Sequence, residues 1–322
     1  MIQRQPPTYE QSSAPPSGTP KGTDEMTDDR IPSPTEVADL FDPDALRRIC
    51  VADDFTPYGF TRTTLDPHPS GRERFYWYRD GGPGATVLAV AHLDTVQDDR
   101  TCQITDTASG LLATSGALDD RLGAYIISDL LPSLGIVCDV LLTTDEESGQ
   151  STASDYDPPK DYNWVIQFDR GGTDVVAYQY ETPDLVAKVR ESGARMGQGS
   201  YSDICELGHL GVAGLNWGTG YQDYHSPRSH AWLDDTFRCV SKFARFYRAN
   251  QGTPIPHFLD PDTDDWTDYS HSTTTDTDYE VVADCGDWVD LSDERTFHEE
   301  YGTVICTKCA TEYDVPDYER PY

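Results

Sequence analysis

Between residues 35 and 250, short apolar runs alternate with stretches in which apolar residues recur every three or four positions. The runs TVLAVAH (86–92), VCDVLLT (137–143), NWVIQF (163–168) and GVAGLN (211–216) read as strands. Residues 120–133, DRLGAYIISDLLPS, carry apolar side chains at helical spacing. In 232–248, Leu233, Phe237, Val240, Ala244 and Tyr247 repeat in steps of three and four, the core-facing stripe of a helix. The segment CQITDTASGLLATSG has the character of a hairpin. Strands alternating with helices predict an α/β domain with a mixed, mostly parallel central sheet and helices on both faces.

Outside that stretch the pattern disappears. Residues 1–34 are rich in Pro, Ser, Thr and Gln, lack the apolar segment of a secretory signal, and are expected to be disordered. Residues 251–280 are rich in Pro, Asp and Thr without periodicity, which predicts an acidic linker. Residues 281–322 regain aromatics and contain a Cys-x-x-Cys pair, which predicts a small β-rich module. No run approaches the roughly 18 apolar residues of a membrane span.

Charge narrows the classes of partner. The chain has 42 Asp and 15 Glu against 19 Arg and 5 Lys, for a net charge of −33. A nucleic-acid binder needs the opposite sign, so the main domain is not expected to be one. A dense carboxylate surface suits high salt, where screening removes self-repulsion. Of eight cysteines only Cys306 and Cys309 are close in sequence, as in a reducing compartment. The expected setting is the cytoplasm of an organism adapted to high salt, or its virus.

Each predicted strand delivers polar residues where it ends: AHLDT, TTDEE, QFDRG and NWGTGYQDYH. Sites in open α/β sheets form outside the carboxyl ends of strands, and His with Asp and Glu is a ligand set for zinc or a similar ion. His92 would bind the metal, and the Asp94 carboxylate, two positions on, would hold the second imidazole nitrogen. In GALDDRLG, Asp119 and Asp120 stand at a loop–helix junction. Either could cap the helix, and a carboxylate there could instead bridge two cations.

In this order AHLDTV, GALDDRLG, TTDEESG, IQFDRGG and GTGYQDYHS resemble the co-catalytic zinc exopeptidases, the clan of peptidase T, acetylornithine deacetylase and the leucyl aminopeptidases. The resemblance covers residues 85–230. It implies two divalent ions, zinc with cobalt or manganese as alternatives, bridged by Asp119. His92 and Asp169 would complete one site, and Glu147 and His225 the other. Glu146 would be the general base activating a metal-bridging water, and Asp145 receives no role. The clan's aromatic-His-Ser pattern points to His225 rather than His230. The segment GSYSDICE (199–206) is similar to a Ser-Asp element of the clan and equally to a plain turn. Neither 93–118 nor 170–224 is long enough for the clan's inserted domains, which implies a lidless enzyme closest to the leucyl aminopeptidases. The implied substrate is a short peptide. The alternatives are an N-acyl amino acid cleaved by a deacylase, or an inactive binding protein that recruits a partner through its C-terminal module.

That module resembles a zinc ribbon. Cys285, Cys306 and Cys309 have the required spacing, but Val282 stands where a further Cys is usual. His298 is the candidate fourth ligand of a structural zinc, and a metal-free β-module is the alternative.

Overall fold

The computed structural model describes residues 30–257 except Pro69, and in the tail the backbone of four short strands. Its main sheet has seven strands in the order β1-β2-β6-β3-β7-β9-β8. The parallel centre consists of β6 (Asp139–Thr143), β3 (Val87–His92), β7 (Trp164–Arg170) and β9 (Gly214–Gly218). At one edge β1 (Thr61–Thr64) and β2 (Phe75–Arg79) run antiparallel to their neighbours, and at the other so does β8 (Val175–Val176).

The continuous apolar runs follow from burial on both faces of the sheet. In β3, Val87, Ala89 and Ala91 join one core, while Leu88 and Val90 join the other. The first core is covered by α1 (Pro34–Asp39), α2 (Pro43–Val51), α3 (Leu118–Tyr125) and α6 (Leu233–Asn250). Helical turns also cover the second, as 3-10 helices Thr152–Asp155 and Asp203–Leu210, which carry Ala153, Ile204 and Leu207. A further helix, α5 (Pro183–Glu191), turns Leu185 and Val189 into the first core.

The predicted helix 120–133 is interrupted for a covalent reason. Pro132 has no N–H for the Ser128 carbonyl, and a π-turn (Ile126–Leu130) separates α3 from α4 (Leu131–Ser133). Arg79 Nη2 donates to that carbonyl at 3.0 Å instead. The fourth strand begins three residues later than expected. Gly211, at φ +67°, closes the preceding 3-10 helix, and the ladder with β7 runs from Gly214.

A second, antiparallel sheet has the order β10-β11-β5-β4. The expected hairpin is β4 (Gln103–Thr107) with β5 (Gly110–Thr114), and it extends through β11 (His230–Trp232) to β10 (Tyr221–Gln222). This small sheet holds the 223–229 loop over the carboxyl edge of the main sheet. After α6 the chain folds back: Ile255 is buried, and its N–H and carbonyl bond Asn163 and Ala213 at 2.8 Å each.

In the tail, 280–282 pairs with 288–290 and 296–298 with 303–305, both antiparallel. Cys285, Cys306 and Cys309 lie outside the described residues, as do most of the expected disordered segment and linker. His298 is described only as backbone within a strand. Among the described residues no helix is long and apolar enough to cross a membrane.

Candidate metal centre

The parallel strands end at one edge, and the polar residues that follow them converge there. His92 is the last residue of β3 and is fully buried. After β6 the chain turns at Asp145, which adopts φ +71° and starts a 3-10 turn over Glu146–Ser148. The buried Asp145 carboxylate faces Arg72 at 2.9 Å and Arg74 at 3.5 Å. The acid without an assigned role thus anchors the turn that presents the other two. Asp169 lies at an irregularity in the β7–β9 pairing, between Gln167 and Arg170, where a bulge re-aims the side chain. His225 comes from the β10–β11 loop, and its carbonyl accepts from Gln97 Nε2 at 3.0 Å.

The side chains meet around Asp119. His92 Nε2 is 3.3 Å from Asp119 Oδ1, 3.6 Å from Asp169 Oδ1 and 3.7 Å from Glu146 Oε2. His225 Nε2 is 3.0 Å from Asp119 Oδ2 and 2.9 Å from Glu147 Oε2. Asp119 therefore turns one oxygen to each imidazole. His230 is elsewhere, in β11, with Nδ1 at 3.0 Å from the Arg228 carbonyl.

Two details differ from expectation. The nearest acceptor to His92 Nδ1 is the backbone carbonyl of Asp94 at 3.0 Å, while its carboxylate lies 3.7 Å away. A carbonyl can only accept, so Nδ1 carries a proton, and Nε2 is the atom turned to the carboxylates. The Asp94 carboxylate instead accepts the Glu147 N–H at 3.1 Å, joining the ends of β3 and β6. The two acids of the Asp-Asp pair also divide their work. Asp120 Oδ1 accepts the Gly123 N–H at 3.1 Å and caps the helix, which leaves Asp119 free to face the histidines.

Other residues behind the cluster hold it in place. Tyr221 O–H donates to the Asp169 carbonyl at 2.6 Å and reaches Oδ1 at 2.9 Å. Asn216 Oδ1 accepts the Asp169 N–H at 2.9 Å. Asp203, from the Ser-Asp segment, is fully buried; its Oδ1 accepts from Thr143 and Ser151, and its Oδ2 from Gln167 Nε2 at 2.8 Å. That segment is thus a support beneath the site. Arg121 donates to the carbonyls of Leu93, Ile49 and Ala52, tying α3 to the loop after β3 and to the end of α2.

The electrostatics call for a cation. Burial, reinforced by the charges of Asp203, Asp169 and Asp119 and opposed by His92, pushes Glu146 up to about 9. Burial and the Asp119 charge push Asp169 up to about 7. Burial also raises Asp119, but the facing imidazoles of His225 and His92 outweigh it and hold that carboxyl well below the usual range. Burial lowers His92, yet Asp119 and Asp169 more than reverse it. His92 Nε2 and Glu147 Oε1 are buried without a hydrogen-bond partner. Carboxylates this close are costly unless protonated or neutralised by positive charge.

Donor atoms of His92, Asp119 and Glu147, and of His92, Asp120 and Asp169, lie within 4.8 Å of one another in each set. In the second set Asp120 is already engaged by Gly123, while Asp119 Oδ1 lies 3.3 Å from His92 Nε2. Imidazole nitrogen with carboxylate oxygen fits a divalent ion. The cluster forms the floor of a cleft of 280 Å³ whose walls include Arg170, Tyr178, Tyr201 and Tyr224.

No family model matches the chain, and no curated protein matches it. Among solved structures it is similar to a tripeptidase from Staphylococcus aureus, at 10% identity over 68% of this chain and 99% of that one, with a TM-score of 0.49. The aminopeptidase PepT from Bacillus cereus is similar at 9% identity, over 68% and 99% of the two chains, with a TM-score of 0.49. A zinc-dependent exopeptidase from Parabacteroides distasonis is similar at 13% identity, over 68% and 98%, with a TM-score of 0.42. At such identities the likeness is one of fold alone.

Proposed function

We propose that the chain is a two-metal amide hydrolase that removes residues from the amino end of short peptides. The observation that carries this reading is Asp119, whose two oxygens face His92 at 3.3 Å and His225 at 3.0 Å. His92, Asp119 and Asp169 would hold one divalent ion, and Asp119, Glu147 and His225 the other. Zinc suits this donor set, with cobalt or manganese as substitutes. Bound there, such ions polarise the scissile carbonyl and lower the pKa of water.

The chain's own residues supply orientation and proton transfer. Glu146 projects into the cleft beside His92 without belonging to either ligand set. Its carboxylate takes one proton from the attacking water as the new C–O bond forms. It then delivers that proton to the amine nitrogen as the C–N bond breaks, leaving a carboxylate and a free amine. Tyr221 and Asn216 fix Asp169, and Asp94 fixes the backbone of Glu147, so the ligands need little rearrangement.

Zinc-loaded protein offered alanine amide and N-acetylalanine separates the two amide chemistries. The reading predicts that kcat/KM for the amide exceeds that for the acetylated amino acid by about tenfold or more. A reversed preference identifies a deacylase, and no cleavage of either sinks the hydrolase.

A further inference from the structure

We propose that Gln167 is a positioning residue of the metal centre: its amide holds Asp169 Oδ2 and leaves Oδ1 as the atom offered to an ion. The proposal deepens the two-metal reading above and rests on it.

Gln167 stands where packing alone would favour an apolar side chain. It lies in β7, one of the parallel central strands, within the run WVIQF. Alternation along the strand puts it on the same face as Val165, which joins the second core with Ile204 and Leu207. The side chain is fully buried, and an amide withdrawn from water is costly unless it is hydrogen-bonded. Its Oε1 has no partner among the described residues, so the contacts at Nε2 must offset that cost. All three are carboxylates. Nε2 lies 2.8 Å from Asp203 Oδ2, 3.3 Å from Asp169 Oδ2 and 3.4 Å from Asp120 Oδ2. Asp120 comes from α3, which covers one face of the sheet, and Asp203 from the 3-10 helix that covers the other. One amide therefore links both layers to the end of the strand that carries Asp169.

The chemistry of the amide suits that place. Its nitrogen carries two hydrogens and no charge. One serves Asp203 at the short distance, and Asp169 and Asp120 share the other. A lysine would also donate, but its charge would cancel part of the negative field that draws a cation. A leucine would leave the three Oδ2 atoms without this donor. The two oxygens of Asp169 are thereby distinguished. Oδ2 faces Gln167, while Oδ1 faces His92 Nε2 at 3.6 Å. The Tyr221 hydroxyl, 2.9 Å from Oδ1, has a single proton, and the Asp169 carbonyl accepts it at 2.6 Å. Oδ1 thus keeps its lone pairs for an ion.

Calorimetric titration of the metal-free full chain with zinc reads the proposal. Gln167→Met removes the donor and keeps the length of the side chain. It should weaken one of the two sites by about 10–100-fold, the range for a partner that orients a ligand, and leave the other at the wild-type value. Asp169→Ala should weaken the same single site. Adding Gln167→Met to it should cost nothing further, because a residue that acts through Asp169 then has nothing left to position. A full additional loss in the double variant overturns the proposal, and so does wild-type affinity at both sites in Gln167→Met. Diffraction from the zinc-loaded wild-type chain tests it without a substitution: Asp169 should meet its ion through Oδ1 alone, with Oδ2 still facing Gln167 Nε2. An ion held by both oxygens overturns the proposal and spares the two-metal reading. A wild-type chain that binds no zinc overturns both.

Discussion

Replacing Glu146 by glutamine lowers kcat by about 10²–10⁴-fold while zinc per chain stays at the wild-type level. Glutamine keeps the shape of the side chain and its place beside His92, so the cleft and both ligand sets survive. What it loses is the ability to accept a proton from water and return it to the leaving amine. Glu146 is suited to that exchange because it is enclosed: burial and neighbouring acids push its carboxyl up to about 9 when no cation is near. Positive charge at the ligand sets would bring it down toward the working range of a base. Steady-state kinetics with metal analysis on the same sample checks the outcome. Wild-type turnover would move the base elsewhere, and loss of zinc would make Glu146 a ligand.

Asp119→Ala has the broader effect, because its two oxygens face two imidazoles. Every other proposed ligand belongs to one set, whereas this substitution removes a donor from both. Zinc affinity should fall by more than about 100-fold at each site, beyond the 10–100-fold typical of residues that only support a ligand, and hydrolysis should vanish with it. Metal titration followed by calorimetry reads both sites. Two sites at wild-type affinity in Asp119→Ala would remove the bridge from the account.

These effects divide between what a linear sequence displays and what only folding assembles. His92, Glu146, Glu147 and Asp169 were legible because each follows an apolar run, and parallel strands bring their carboxyl ends to one edge. His225 was separable from His230 only through the resemblance; in the structure the two stand at opposite ends of one short loop–strand segment. Asp119 and Asp120, both acids at a helix start, were likewise separable only through the resemblance. Their difference lies in backbone direction: one faces the histidines and the other caps Gly123. The role of Asp145 was hidden for another reason. Arg72 and Arg74 lie far away in sequence, just before β2. Tyr221 and Asn216 were likewise invisible as supports of Asp169, because neither residue type announces a partner. The short helices α1 and α2 show too few repeats for periodicity. Only their caps mark them: the Ser33–Glu36 capping box and Asp42 before Pro43.

The central claim is a pair of metal ions sharing Asp119. Anomalous diffraction at the zinc edge, from crystals of the zinc-loaded full chain, tests it most directly. Two peaks about 3.5–4 Å apart, one on each side of the Asp119 carboxylate, are the predicted result. A single peak, or none in contact with Asp119, would contradict it.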